Sequence, residues 1–176
     1  MAQTPYAETT APALNGSAIK LMANFKAPWK MRLFFLQRLP SCLFWGVRIE
    51  SCTASACAVS LPYRWATQNP FRSIYFAALA GAAELSTGAL AMLALSGQPP
   101  ASMLITKVEA HFIKKADTRT TFTCEDGAAL RTAVQQALQN EEGQEFTAIS
   151  TGRNIHGEAV CTVRLTWSFR KRRKKR

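Results

Sequence analysis

The stretch IYFAALAGAAELSTGALAMLAL, residues 74–95, decides how the rest of the chain can be organised. Its 22 residues include one charged side chain, Glu84. A helix of this length is long enough to cross a hydrocarbon core of about 30 Å, so a transmembrane span is one interpretation. The other is a helix buried on nearly all sides by a wrapped sheet, because such a helix is also apolar all round.

Glu84 favours the buried core helix over the membrane span. An ionisable group at the middle of a bilayer costs about 2.5–3.5 kcal/mol even on the lenient insertion scale. Ser86 and Thr87 place further polar atoms beside it. An acid in a core helix is expensive unless it is hydrogen-bonded, paired or used in chemistry, so Glu84 is the first candidate for a functional residue.

Length and composition indicate one domain in a reducing compartment. A chain of 176 residues with 48% apolar residues can bury a packed core, which excludes a wholly disordered protein. Five cysteines form no C-x-x-C pair, so no disulfide framework or zinc site is predicted. The first residues, MAQTPYAETTAPALNG, lack a secretory signal pattern, and we expect a cytoplasmic protein with a mobile arm at 1–14 and a single domain at 15–169.

The net charge of +11 is concentrated at the C-terminus. Residues 170–176 are seven consecutive basic residues, and without them 15 basic and 11 acidic residues remain. We expect this segment to be a tail that is either solvated or in weak contact with a polyanion or membrane surface. Aromatic side chains do not alternate with Lys and Arg along one strand face, so no sequence-specific nucleic-acid binding is predicted.

The segments before the long helix predict helices followed by two strands. A short helix begins near Ser17, and a second runs from Pro28 to Leu39, where Pro40 ends it. The alternation in LFWGVRIE, residues 43–50, predicts a strand, and CTASACAVSLP, residues 52–62, a second one. This second strand carries Cys52 and Cys57 on opposite faces, where they cannot share a metal.

The segments after the long helix predict four strands and one surface helix. Residues 104–113 and 119–124 alternate in polarity and are predicted to pair as a hairpin. Asp126 is expected to cap a surface helix with apolar positions from Leu130 to Leu138. EFTAIST, residues 145–151, and GEAVCTVRLTWSF, residues 157–169, complete the sheet.

The segment NPFRSIYFAALAGAAELSTG, residues 69–88, is similar to the N-P-x-G-x-x-H-G-G-x-x-x-x-x-x-D segment of acyl-CoA thioesterases of the phenylacetate-degradation type. The spacing agrees from Asn69 to Glu84, and the predicted order of elements resembles that of these hotdog-fold proteins, most closely an uncharacterised bacterial branch. The resemblance implies an α+β hotdog fold, in which an antiparallel sheet wraps a long central helix. An N-terminal helical segment and an inserted surface helix would be additions to it.

The resemblance also implies roles for individual residues. Glu84 takes the place of the family's catalytic acid, which is a general base or a nucleophile. Phe76 takes the place of a glycine whose N–H polarises the thioester carbonyl, and Asn69 that of a helper asparagine. Tyr75 replaces the family's histidine, while Phe76 and Ala77 replace both glycines. A non-catalytic acyl-thioester-binding or structural protein is therefore the alternative to a thioesterase.

Helix geometry places an independent constraint on this site. Phe76 and Glu84 are eight residues apart, about 12 Å along a helix, too far for both to reach one carbonyl carbon in the same protomer. A twofold homodimer resolves this by sharing two equivalent sites between its copies, and a dimer of dimers is compatible with it. Coenzyme A would enter as part of the substrate, not as a cofactor, and its phosphates would be met by Lys114, Lys115 and Arg64.

Overall fold

The fold is described by a computed structural model, which covers residues 13–140 and 142–172. These residues form five α-helices and six strands. The helices are α1 (Gly16–Phe25), α2 (Pro28–Arg38), α3 (Pro40–Trp45), α4 (Phe76–Leu95) and α5 (Gly127–Gln139). The strands are β1 (Arg48–Cys52), β2 (Cys57–Leu61), β3 (Ala101–Phe112), β4 (Thr120–Cys124), β5 (Gln144–Arg153) and β6 (Ala159–Lys171).

One antiparallel sheet wraps the long helix α4, as the sequence predicts. The strand order is β1-β2-β4-β5-β6-β3, and α4 packs against β2, β4, β5 and β6. The alternation predicted for β6 is confirmed, because Val163, Leu165, Trp167 and Phe169 are buried. By length and composition α4 could cross a membrane, yet 67% of its apolar window is buried inside the domain. It is the core helix of an α+β hotdog domain.

The predicted hairpin of the third and fourth strands is wrong. β3 pairs with β6 along its whole length, from Ala101 opposite Lys171 to Phe112 opposite Cys161, and β4 lies between β2 and β5. The segment between β3 and β4 does not form a tight turn, because the Ala116 carbonyl accepts a 2.7 Å hydrogen bond from Ile74 N. That contact carries the chain past the start of α4 to the other half of the sheet.

The strand predicted at residues 43–50 begins later than expected. Pro40 ends α2 and also occupies the first turn of α3, so Leu43 is helical and β1 begins at Arg48. Proline suits a first helical turn because the N–H it lacks has no partner there. Gly46 ends α3 at φ 73°, a left-handed conformation that glycine adopts without steric cost.

The two cysteines predicted on one strand lie on two. Cys52 ends β1 and Cys57 begins β2, directly opposite each other, and both are fully buried. Between them Thr53 Oγ1 accepts hydrogen bonds from Ser55 N and Ala56 N, a side-chain turn that reverses the chain. Asp126 is the N-cap residue of α5, as predicted, but its side chain forms no capping hydrogen bond, because its Oδ2 accepts from Ile149 N at 2.7 Å instead.

Both ends of the chain are described only in part. The predicted arm covers residues 1–14, of which 1–12 lie outside the described residues. Asn15 then caps α1 by accepting from Ala18 N, and its amide donates to the Ser96 carbonyl beyond the end of α4. The predicted basic tail begins inside β6, which continues to Lys171, while 173–176 lie outside the described residues.

Candidate functional site

Glu84 lies on the side of α4 that the sheet leaves open. Ala82 and Ala83, its neighbours in sequence, are fully buried, whereas Glu84 is exposed in the single chain. The expectation of a helix buried on nearly all sides is therefore wrong along one face of α4. We call this face, which carries Ala77, Gly81 and Glu84, the open stripe. Residues three and four apart share a helix face, so one side of a wrapped helix stays open unless another element covers it.

The Glu84 carboxylate has no partner among the described residues. No ion pair or hydrogen bond of residues 13–140 and 142–172 involves its side chain, and the ion pairs found there join Lys107 to Glu109 and Lys114 to Glu158. Crowding by its apolar surroundings raises the pKa of Glu84 above its ordinary value, because partial burial disfavours the charged form. An unpaired acid with a raised pKa is a candidate for proton transfer.

Two polar contacts fix the rotation of α4 around Glu84. Ser86 Oγ lies 2.7 Å from Ser150 Oγ on β5, and Trp167 Nε1 donates a 3.1 Å hydrogen bond to Thr87 Oγ1. Both contacts are buried, and they hold the side of the helix next to Glu84 against the sheet. Ser86 and Thr87 therefore hold α4 in the orientation in which Glu84 lies on the side away from the sheet.

Helix α3 lies beside Glu84. The sequence analysis did not predict this helix. Burial raises the pKa of the Cys42 thiol to about 11, with a smaller contribution from the charge of Glu84, so Cys42 lies within electrostatic reach of the carboxylate. A Cβ on Gly81 would lie 2.9 Å from Trp45 Cζ3, so Trp45 packs directly against the helix one turn before Glu84. The proline at position 40 was the available signal, because it marks a helix start as well as a helix end.

The start of α4 presents free backbone donors. Tyr75 is the N-cap residue and its side chain forms no capping hydrogen bond, while its carbonyl accepts from Ala78 N and Leu79 N. Among the described residues, the N–H groups of Phe76 and Ala77 donate to no hydrogen-bond acceptor. The first N–H groups of a helix lack intrahelical partners and lie at its positive end, so they suit a developing negative charge.

A cavity of about 560 Å³ opens at this helix start. Phe71 and Phe76, 79% and 57% exposed, give it an aromatic mouth, and the Tyr75 and Phe76 rings meet edge to face at 5.0 Å. The lining residues that carry the site are Asn69, Tyr75, Phe76, Phe112, Lys114 and Lys115. The structure thus brings five of the predicted residues to one cavity, and Ala77 follows in the same helical turn.

Asn69 shapes the loop that leads to the cavity. Its Oδ1 accepts from Phe71 N and Ser73 N, and its Nδ2 donates to Ser73 Oγ at 3.0 Å. An asparagine that holds its own loop in this way forms an Asx turn. Both ends of the amide are occupied, so Asn69 acts here as a positioning residue.

The three predicted phosphate-binding cations are not together. Lys114 and Lys115 both line the cavity, where Lys114 forms a 2.6 Å ion pair with Glu158. Arg64 lies elsewhere: it lines a separate cavity of about 410 Å³ between the N-terminal helices and β1, and its guanidinium donates to the Phe44 carbonyl. The loop after β2 carries it away from the helix start.

Glu84 is not among the residues that line the cavity at the start of α4. Eight residues of helix, about 12 Å, separate it from Phe76. The edge strand β3 exposes Leu104, Val108 and Phe112 at 66%, 51% and 49%. A single chain therefore presents an acid, a set of amides and an apolar sheet edge as separate features. Among the described residues no cluster of His, Cys, Asp or Glu is arranged to hold a metal ion.

Solved structures share this fold. A protein of unknown function from Pseudomonas aeruginosa, described as a probable thioesterase, is 16% identical; the match covers 82% of this chain and 97% of that one, with a TM-score of 0.67. A thioesterase from Haemophilus influenzae is 12% identical over 82% and 91% of the two chains, with a TM-score of 0.62. A thioesterase family protein from Silicibacter pomeroyi is 17% identical over 80% and 96%, with a TM-score of 0.58.

These likenesses show that the chain shares the fold of the three proteins, an antiparallel sheet around a long central helix. Curated proteins give no match. Residues 27–169 match the profile of a domain of unknown function, DUF4442, which covers α2 through β6. The chain therefore belongs to the DUF4442 family.

Proposed function

We propose that this protein hydrolyses an acyl-thioester, with acyl-CoA as the substrate class, at a site shared by two copies of the chain. Glu84 of one copy would face the start of α4 of the other, giving two equivalent sites per dimer. The observation that carries the proposal is the separation of an unpaired acid from free helix-start amides along one helix. A twofold axis between two such helices brings the two halves together.

In this reaction Glu84 activates water. The carboxylate accepts a proton as the water oxygen bonds to the thioester carbon, and the N–H groups of Phe76 and Ala77 stabilise the resulting oxyanion. Collapse of the tetrahedral intermediate breaks the C–S bond, and the proton held by Glu84 passes to the leaving thiolate. Direct attack by Glu84 is the variant of this chemistry, with a mixed anhydride that water then hydrolyses.

The raised pKa of Glu84 supports its role in proton transfer. A base accepts a proton most effectively when its pKa approaches the working pH, and burial moves this carboxyl in that direction. Closure of the open stripe by a second copy would exclude more water from the carboxylate. The pKa would then rise further than in the single chain.

The cations at the cavity fit the phosphates of coenzyme A. Lys115 lines the cavity without an ion-pair partner among the described residues, whereas Lys114 is paired with Glu158. Coenzyme A belongs to the substrate in this scheme, and no separate cofactor takes part. A cytoplasmic location is consistent with it, since all five cysteines are free and buried.

The proposal is tested by hydrolysis of a panel of acyl-CoA esters, followed as release of free thiol. We expect Glu84→Gln to lose at least about a hundredfold in kcat, the range typical of a missing general base, with the dimer intact by light scattering. Glu125→Gln, which changes an exposed acid at the end of β4, is the matched control and should keep full activity. Equal turnover by Glu84→Gln and the wild type would reject the proposal.

A non-catalytic acyl-thioester-binding protein is the second candidate. The specific observation in its favour is the Tyr75 and Phe76 ring pair, which stands where the resembling thioesterases have a histidine and a glycine. These rings narrow the approach of a thioester to the backbone amides. Tight binding of acyl-CoA by calorimetry, without thiol release across the whole panel, would favour this function.

A further inference from the structure

Helix α2 has two apolar faces, of which the domain uses one. Met31 and Phe35 point into the core and are 7% and 2% exposed. Trp29, Leu33 and Leu36 remain 67%, 48% and 61% exposed. We call these three residues the outer stripe. Large side chains left exposed singly are ordinary, but three on one helix face indicate a surface that something covers.

Helix geometry gathers the outer stripe and places basic residues on both sides of it. At about 100° per residue, Leu36, Trp29 and Leu33 fall within an arc of roughly 60°. Arg32 lies at one border of this arc and Lys30 at the other. Lys30 Nζ is 5.6 Å from the centre of the Trp29 ring and donates to Asn24 Oδ1 at 2.8 Å, which holds it beside the stripe.

The chain segment that contains α2 carries only basic charged residues. No acidic residue occurs between Glu8 and Glu50 in the sequence. The same interval contains six basic residues, namely Lys20, Lys26, Lys30, Arg32, Arg38 and Arg48. A covering surface must therefore offer apolar depth at the stripe and negative charge around it.

We infer that the outer stripe docks on an anionic lipid bilayer. A helix with Trp and Leu on one face and Lys and Arg at its borders is suited to lie in the membrane interface, with its apolar side chains below the headgroups. Tryptophan favours this depth, and each Lys or Arg near an anionic surface adds electrostatic attraction. A second copy of this chain would bring the same positive charges together, so it is the less favourable occupant.

This inference does not depend on hydrolysis. The outer stripe lies on α2, and none of its three residues lines the cavity at the start of α4. It also differs from weak contact through the basic C-terminal residues, because the side chains that carry it are apolar. A protein that fails to hydrolyse any thioester could still dock in this way, and the reverse also holds.

The test measures binding of the full chain to two kinds of vesicle by flotation. One contains phosphatidylglycerol and phosphatidylcholine, and the other phosphatidylcholine alone. We expect the wild type to bind the anionic vesicles and not the neutral ones. The double variant Leu33→Gln/Leu36→Gln should lose about a hundredfold or more in affinity, because neither side chain would still bury apolar surface among the lipid tails. Ile155→Gln, which alters a 57% exposed residue on the loop between β5 and β6, is the matched control and should bind normally.

Three further variants separate the contributions of charge, tail and tryptophan to vesicle binding. Lys30→Gln/Arg32→Gln keeps the apolar face and should weaken binding at low salt more than at high salt. A chain ending at Arg172 lacks the last four basic residues and should keep most of the binding. Replacement of Trp29 by Phe should remove the blue shift of tryptophan emission that the wild type shows with anionic vesicles.

Three results would overturn the inference. The first is normal vesicle binding by the folded double variant. The second is binding lost on truncation at Arg172 but unaffected by changes in the outer stripe, which would assign it to the tail. The third is a change in oligomeric state, without a change in vesicle binding, when Leu33 and Leu36 are replaced, which would assign the stripe to a second copy.

Discussion

Trp167 of β6 and Thr87 of α4 form a buried hydrogen bond that fixes how the central helix is turned. The indole Nε1 donates to Thr87 Oγ1 at 3.1 Å, and Thr87 Oγ1 in turn donates to the Glu84 carbonyl at 3.1 Å. The contact lies on the covered side of α4, three residues from the exposed acid. The direction of Glu84 is therefore set by the sheet behind it.

Thr87→Val should destabilise the protein by about 1–3 kcal/mol. Valine has the shape of threonine but no acceptor, so the Trp167 N–H would be buried without a partner. Denaturant unfolding measures the change. Thr132→Val is the matched control, since Thr132 is a partly exposed threonine on α5 that donates to a carbonyl of its own helix. An equal loss in both variants would contradict the assigned role of the Trp167 contact.

Glu84→Gln should remove a pH dependence of stability. The folded-state pKa of Glu84 is raised above 4.5, so the folded protein holds this proton more tightly than the unfolded chain. Stability therefore falls as the pH rises above 4.5 and levels off beyond the folded-state pKa. Denaturation series from pH 4 to 8 should show the wild type losing stability relative to Glu84→Gln over this window. Parallel curves would show that the carboxyl is not perturbed.

Gly127→Ala should be destabilising, because the new Cβ would collide with the Ala54 carbonyl oxygen and lie 2.8 Å from backbone atoms of Ser55. The turn between β1 and β2 would have to move, at a cost of about 1–3 kcal/mol. Gly16→Ala is the matched control. Gly16 likewise begins a helix, and its Cβ would meet nothing within 4 Å. Thermal unfolding should separate the two variants, and similar melting temperatures would argue against the tight turn contact.

Lys115→Ala should weaken binding of acyl-CoA but not of a substrate without the nucleotide. The lysine is expected to meet a coenzyme A phosphate, so KM for acyl-CoA should rise about three- to tenfold, as loss of one exposed charge contact implies. The same acyl group on N-acetylcysteamine, which has no phosphate, should show no change. An increase for both thioesters would indicate a structural effect.

The parts of the fold that the sequence predicts are those with one dominant physical requirement. The apolar run around Glu84 has to be covered on most sides, and the strict alternation from Ala159 to Phe169 has to face it, so α4 and β6 were predicted correctly. Strand pairing has no such local signal. β3 and β4 are neighbours in sequence, yet the contact of Ile74 with the Ala116 carbonyl sends them to different parts of the sheet.

In the candidate site, too, some residue positions follow from the sequence and others depend on tertiary contacts. Spacing along one helix predicts that Phe76 and Glu84 are apart, and chain continuity places Asn69 near Phe76. Lys114 and Lys115 line the cavity at the start of α4, and their contact with phosphates stays a prediction. The position of Arg64 depends on the loop after β2, and the closeness of Cys42 to Glu84 depends on α3. These tertiary features leave no periodic pattern in the sequence.

The most direct test of the shared site combines two inactive variants. Phe76→Pro removes the first amide donor of α4 and suits the backbone, because proline is tolerated at a first helical position and Tyr75 already has the extended ψ of 134° that precedes a proline. Phe76→Ala, which keeps the N–H, controls for loss of the ring. Glu84→Gln removes the carboxylate, which is the other half of the proposed site.

Co-expression of Phe76→Pro and Glu84→Gln chains is the decisive measurement. Random pairing yields roughly half heterodimers, each with one site that combines an intact Glu84 and an intact helix start, so thioesterase activity should recover to roughly a quarter of the wild type. Activity no greater than that of the two variants measured separately would contradict a site shared between copies.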